Sequence, residues 1–224
     1  MLGLPNQMNP QIAKWNARYA NREPGALPEP SPPVSDAVAG VPPGRALDLA
    51  CGAGRHAVWL AVRGWRVAAV DGSDAAVALL LANAERAGCR ERIEPHVADL
   101  EADPPEFTIE PAAYDLIVDC YFLHRPLFAA IREGVRPGGL FVAALHLPAP
   151  GAGRGHGYVL RPGELEHLVA GWRWDVRHNV ERAAEAGADD DLGVAEIVAC
   201  RSGIVPPTAA PPPPAPPRGR PTGC

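Results

Sequence analysis

The chain holds one lysine, Lys14, among 21 basic residues, and those residues are scattered along its length. At a formal charge of −5 there is no gathered cationic face, which argues against a nucleic-acid partner, because phosphate binding needs one. Long apolar runs are also missing. No run reaches transmembrane length, and the first residues lack a cationic start followed by an apolar core. The expectation is a cytoplasmic protein with no membrane partner, a monomer or weak homodimer. Cysteine is sparse: Cys51, Cys89, Cys120, Cys200 and Cys224 are odd in number and lack paired short spacing. That excludes a disulfide framework, gives no metal site and fits a reducing compartment.

What is abundant is apolar sequence, 47% of residues, enough to cover both faces of a sheet. One domain over residues 45–202 is expected, preceded by an N-terminal helix within 1–22 and a proline-rich connector over 23–44. Asn9-Pro10 followed by Gln11 to Ala20 reads as a capped helix with Ile12, Trp15 and Tyr19 on one face. Within the connector the pattern allows at most a short helix over Ser35 to Ala39, and the core is expected to begin at Arg45. Strands are predicted at Ala46–Ala50, Trp65–Val70, Ile93–Ala98, Asp115–Cys120 and Leu140–Leu145. Helices are predicted at Arg55–Arg63, from Ser73-Asp74 to Ala87, and at Leu127–Val135. Pro95 suits an edge strand. A further helix is expected over Pro162–Ala170. Two strands, Trp172–Val180 and Val194–Cys200, follow without an intervening helix, flank an acidic loop at 185–193, and so should pair antiparallel. The prolines at 211–217 predict a disordered tail over 203–224.

The stretch richest in chemistry is Ala46-Leu47-Asp48-Leu49-Ala50-Cys51-Gly52-Ala53-Gly54-Arg55-His56. An apolar run breaks into small residues and continues as a helix, the design of a nucleotide-binding strand–turn–helix in which missing side chains let a ligand press on main chain. Asp48 lies four residues before Gly52, where a carboxylate suits an ammonium group; its plain alternative is to cap a turn. Asp71 lies seventeen residues beyond Gly54, after Val67-Ala68-Ala69-Val70, where it can accept from both hydroxyls of a ribose, with Gly72 leaving room for the sugar. The same turn, Gly52-Ala53-Gly54-Arg55-His56-Ala57, also satisfies the relaxed dinucleotide fingerprint, so a nicotinamide-dependent oxidoreductase stays open. So does a cofactor-binding module without turnover.

Asp48 with the glycine turn, and Asp71, resemble motifs I and II of the class I S-adenosylmethionine-dependent methyltransferases, and Tyr114 to Cys120 resembles motif IV. Lys14 to Tyr19, Tyr121 to Leu127 and Arg136-Pro137-Gly138-Gly139 extend the resemblance toward small bacterial members near the tellurite-resistance and thiopurine-methyltransferase types. The resemblance implies a doubly wound α/β fold, a seven-stranded Rossmann-like sheet, mostly parallel with one antiparallel strand near the C-terminus. It also implies S-adenosyl-L-methionine as cofactor, held by Asp48, Ala50, Gly52, Gly54, Asp71 and Gly72. Asp99 and Leu100 would take the adenine through a carboxylate and a main-chain amide, and Cys120 would wall the reactive methyl. By the same analogy the N-terminal helix shields the cofactor, with Trp15, Arg18 and Tyr19 lining the site; a docked helix explains Trp15 and Tyr19 equally well.

Transfer to an ionised acceptor needs no base. If one is used, His124 and His146 are the candidates, with His156 on a glycine-rich loop; each also fits a structural role. Arg125 and Arg154 are candidates for steering an anionic acceptor. No Asn-Pro-Pro-Tyr or Pro-Cys follows the fourth strand, which sets aside amide, exocyclic-amine and cytosine-carbon acceptors. A small molecule or oxyanion remains.

Overall fold

The structure, a computed structural model, describes residues 9–148, 157–183 and 192–203. The expectations for Arg154 and His156, for the acidic loop at 185–191 and for the tail from 204 onward lie outside these residues.

Seven strands form one sheet: β1 (Arg45–Leu49), β2 (Arg66–Asp71), β3 (Ile93–Val97), β4 (Tyr114–Cys120), β5 (Val135–Leu147), β6 (Asp175–Arg182) and β7 (Gly193–Cys200), in the order β3-β2-β1-β4-β5-β7-β6. β1 to β5 pair parallel, while β7 runs antiparallel to both neighbours, β5 and β6. Only β7 is reversed, as expected. Pro95 stands in β3, an edge strand that pairs with β2 alone, where a missing N–H costs the sheet little.

Because side chains alternate along each strand, the central strands feed two apolar layers. Ala46, Val67, Leu116, Val118 and Val142 pack against α2 (Pro32–Ala37), α3 (Arg55–Val62) and α4 (Asp74–Arg86). Leu47, Leu49, Ile117, Phe141 and Leu145 pack on the other face against α5 (Leu127–Gly134), α6 (Glu164–Ala170) and Trp172. Trp172 meets Phe141 and Phe128 at ring separations of 5.4 and 6.2 Å, closing the second layer.

Two expectations need correction. The short helix begins at Pro32, not Ser35. Pro32 and Pro33 occupy its first turn, where the missing N–H groups have no helical partner to lose, so the prolines start this helix rather than break it. Nor does the core begin at Arg45. Val34 is fully buried and Val38 nearly so, both in the layer with α3. The connector is tied down further by Gly25 N–H to Asn83 Oδ1 at 3.0 Å and by Arg55 Nε to the Glu29 carbonyl at 2.5 Å. Residues 136–139 loop out within β5, between the pairs Tyr114–Val135 and Leu116–Leu140.

Since Val34 is core, Val34→Ala should lower the unfolding free energy by about 1–2 kcal/mol in chemical denaturation. A loss indistinguishable from zero would return this segment to the role of a spacer.

Candidate functional site

The sheet order reverses between β1 and β4: the chain runs outward from β1 through β2 to β3, then crosses back. Open parallel sheets bind ligands at such a switch point, over the carboxyl ends of the strands. Asp48, Asp71 and Asp119 all end strands here, and α1 (Pro10–Tyr19) lies across the rim.

The glycine turn is held by two carboxylates. Asp48 is 1% exposed, and its Oδ2 accepts from the Ala57 N–H at 3.0 Å, in the first turn of α3. Gly54 stands at the N-cap of that helix with a φ of 92° and has no side chain to cap with, so Asp48 does it from the strand below. Burial raises the Asp48 carboxyl to about 7, against the pull of the Ala57 bond. Asp71 holds the other end: Oδ2 accepts from Gly52 N–H at 2.9 Å and Oδ1 from Ser73 N–H at 2.8 Å. Each oxygen keeps a second lone pair for a donor such as a ribose hydroxyl. Burial raises the Asp71 pKa while both N–H bonds lower it.

Gly52 has a φ of 53°, and a Cβ there would meet the Tyr19 hydroxyl at 2.7 Å. A Cβ on Gly72 would meet the Ile12 side chain at 2.7 Å. Small residues are therefore required at both positions by the close approach of α1. The helix is pinned by Asn16, whose Oδ1 accepts from Ser73 Oγ at 2.5 Å, and by Asn9, whose Nδ2 reaches Asp99 Oδ2 at 3.2 Å and Glu101 Oε2 at 3.3 Å. Its inward face is thus Ile12, Asn16 and Tyr19. Trp15 is 40% exposed and Arg18 lies over its ring at 5.0 Å, so these two stand off the inward face.

Beside Gly72 a cleft of about 710 Å³ is lined by Asn9, Ile12, Asn16, Asp99 and residues 102–106. Asp99 Oδ1 accepts from Glu101 N–H at 2.9 Å, and the Asp99 N–H donates to Glu106 Oε2 at 2.8 Å. The Leu100 side chain is buried in the core. Ala50, at a φ of 51°, is half-buried at the start of the glycine turn.

Across the crevice Cys120 is buried and its thiol pKa is driven up by burial and by Asp48 and Asp119, which suits a wall and not a nucleophile. His124 Nδ1 is 3.9 Å from Glu101 Oε1, and the His146 ring lies 5.0 Å from that of Tyr121, which is 43% exposed and holds a φ of 64°. Both histidines stand at the carboxyl rim. Arg125 does not serve as an anion guide: it grips Glu164 bidentately at 2.6 and 3.0 Å and the Gly157 carbonyl at 3.0 Å, fastening the segment before α6.

Several site residues escape sequence reasoning. Asn83, 4% exposed in α4, donates to the Ala53 carbonyl at 3.0 Å and supports the glycine turn from beneath. Its signal was a lone amide in an alanine- and leucine-rich helix. Asn9 was read as a cap, which it is, through Gln11 N–H at 3.0 Å, but not as a link to Asp99. Ser31 and His56, buried and 3.2 Å apart, carried no signal. Among the described residues no cluster has the makings of a metal site and no helix is long and apolar enough to cross a membrane.

With this geometry in place, comparison with known proteins is informative. Residues 46–139 match the family described as a methyltransferase domain. No curated protein matches. Among solved structures, TehB from Haemophilus influenzae superposes with a TM-score of 0.63 at 21% identity, covering 75% of this chain and 61% of TehB. Geranyl diphosphate C-methyltransferase from Streptomyces coelicolor A3(2), solved with S-adenosyl-L-homocysteine, gives 0.62 at 14% identity, covering 87% of this chain and all of that one. The cyclase SpnF gives 0.65 at 14% identity, over 86% and 94% of the two chains. Residues 46–139, less than half of the chain, match that domain, and the chain shares the fold of class I S-adenosylmethionine-dependent methyltransferases. S-Adenosylmethionine is the cofactor of that class. With 991 solved chains matching, SpnF among them, the fold alone selects no acceptor.

Asp48 holds its proton in the folded chain but not in the unfolded one between its ordinary 3.8 and about 7. Its contribution to stability is therefore full below the lower value and is lost as pH rises through that window. Asp48→Asn keeps an oxygen for the Ala57 N–H and removes this loss. It should melt above wild type at pH 8, with the gap closing toward pH 4; an equal deficit at both pH values would contradict it.

Proposed function

We propose that the protein transfers a methyl group from S-adenosylmethionine to a small-molecule or oxyanion acceptor. The observation that carries the choice of ligand is the Asp48 cap. A dinucleotide would lay its pyrophosphate on the N-terminus of the helix after the glycine turn. Here that terminus already receives a carboxylate, and Asp71 and Asp119 add further acids around the crevice. Where these acids are ionised, two phosphate charges would be repelled there, whereas a sulfonium or an ammonium would be attracted and would favour their ionised form. The reversed β7 points the same way.

In this reading Asp71 takes the ribose diol on its remaining lone pairs, with Gly72 giving the sugar clearance. Asp99 and the Leu100 main chain face the adenine in the cleft toward Glu106. Gly52, Gly54 and Ala50 let the amino-acid end approach main chain. Asp48 acts on this end through the turn it fixes rather than by touching it. α1 covers the donor through Ile12 and Tyr19, while Trp15 and Arg18 flank the mouth. The donor supplies an activated methyl on sulfur, and the chain aligns the acceptor with it and excludes water; orientation of this kind is worth roughly 7–11 kcal/mol. Tyr121, His124 and His146 border the acceptor side, with either histidine placed to take a proton from an acceptor that carries one. The dispersed basic residues and the net charge of −5 favour a small acceptor over a nucleic acid.

S-Adenosylhomocysteine should raise the melting temperature while NAD and NADP leave it unchanged. Asp71→Ala should weaken S-adenosylhomocysteine at least about tenfold by calorimetry. Stabilisation by NAD instead, or unchanged affinity in the variant, would contradict the reading.

A further inference from the structure

Asp119 is the one buried carboxylate at the crevice whose chemistry the fold does not explain. It is the penultimate residue of β4 and 1% exposed, and its Oδ1 is buried with no hydrogen-bond partner among the described residues. An acceptor oxygen left unpaired in the interior loses its hydration without replacement, the more so when charged, so its retention calls for an explanation. Asp48 differs, since its Oδ2 is spent on the first turn of α3.

The two acids also face opposite ways. Asp48 pairs in register with Val118, on the α3 side of the sheet. Asp119 pairs with Leu49 and Ala143, both on the α5 side. Among the described residues no cation acts on this acid: burial raises its pKa, and the charged group that acts on it, Asp48, repels it and adds to the rise. Leu49 runs directly into Ala50, half-buried and packed on the same layer. The position is the switch point itself, on the β4 side of the turn that Asp71 bounds on the β2 side.

We infer that Asp119, rather than Asp48, is the carboxylate that receives the ammonium of the methyl donor's amino-acid end. This rests on the proposed donor and names the residue that reads its amino group. One cation there satisfies the unpaired oxygen and offsets the repulsion from Asp48.

The test is a binding cycle by calorimetry, using S-adenosylhomocysteine and its deamino analogue, in which hydrogen replaces the amino group, against wild type and Asp119→Asn. In wild type the deamino compound should bind about tenfold more weakly, and Asp119→Asn should weaken S-adenosylhomocysteine by a similar factor. The variant should bind both compounds alike, because the second loss is already contained in the first. Asp119→Ser, the smaller polar substitute, replaces Asp119→Asn in the cycle if the amide variant does not fold. Losses that multiply, or an unchanged affinity for S-adenosylhomocysteine, overturn the assignment of Asp119 while leaving the donor in place. Failure of wild type to bind S-adenosylhomocysteine at all overturns the donor as well.

Discussion

The site depends on how a turn with almost no side chains is kept in shape. Between β1 and α3 the chain passes through Ala50, Gly52 and Gly54, all with positive φ. It gains no rigidity from its own residues. Two acids supply it from outside, Asp48 through the Ala57 N–H and Asp71 through the Gly52 N–H, while Asn83 holds the Ala53 carbonyl. Each partner stands on a different element, so the turn keeps its shape only when β1, β2 and α4 are all in place. Folding and the binding surface are thereby one event.

The same arrangement gathers three buried acids at one crevice. Asp48, Asp71 and Asp119 are raised in pKa chiefly by burial, and Asp48 is coupled to both of the others. A fold retains such repulsion at a cost in stability, and groups perturbed in this way gather at functional sites. A ligand with two cationic centres and a neutral sugar fits this field, and one with a pyrophosphate does not. α1 completes the enclosure from above, bringing Ile12 and Tyr19 to the glycine positions that leave them room.

Much of this was legible in the residues. The alternation of apolar runs and helices, the Ser73 cap, the edge position of Pro95 and the reversed late strand all follow from period, turn chemistry and connection length. Asp71 and the glycine turn were legible because their spacing is fixed by a β–turn–α–β unit. What was not legible depends on contacts between distant segments. Asp48 reads equally as a ligand group or a cap until α3 is placed over it. Trp15 reads as an inward residue until Asn9 and Asn16 fix the rotation of α1. Pro32 and Pro33 read as breakers because the apolar layer that recruits Val34 forms only when β5 and β7 are paired.

The central claim is that a sulfonium nucleoside lies across the carboxyl ends of β1, β2 and β4. A crystal structure of the protein with S-adenosylhomocysteine tests it most directly. The account predicts the ribose hydroxyls on the Asp71 carboxylate, the base beside Asp99 and Leu100, and the ammonium within hydrogen-bond distance of Asp119. A crevice still filled by Tyr19 and Ile12 with no nucleoside bound, or a nucleoside bound elsewhere on the chain, would contradict it.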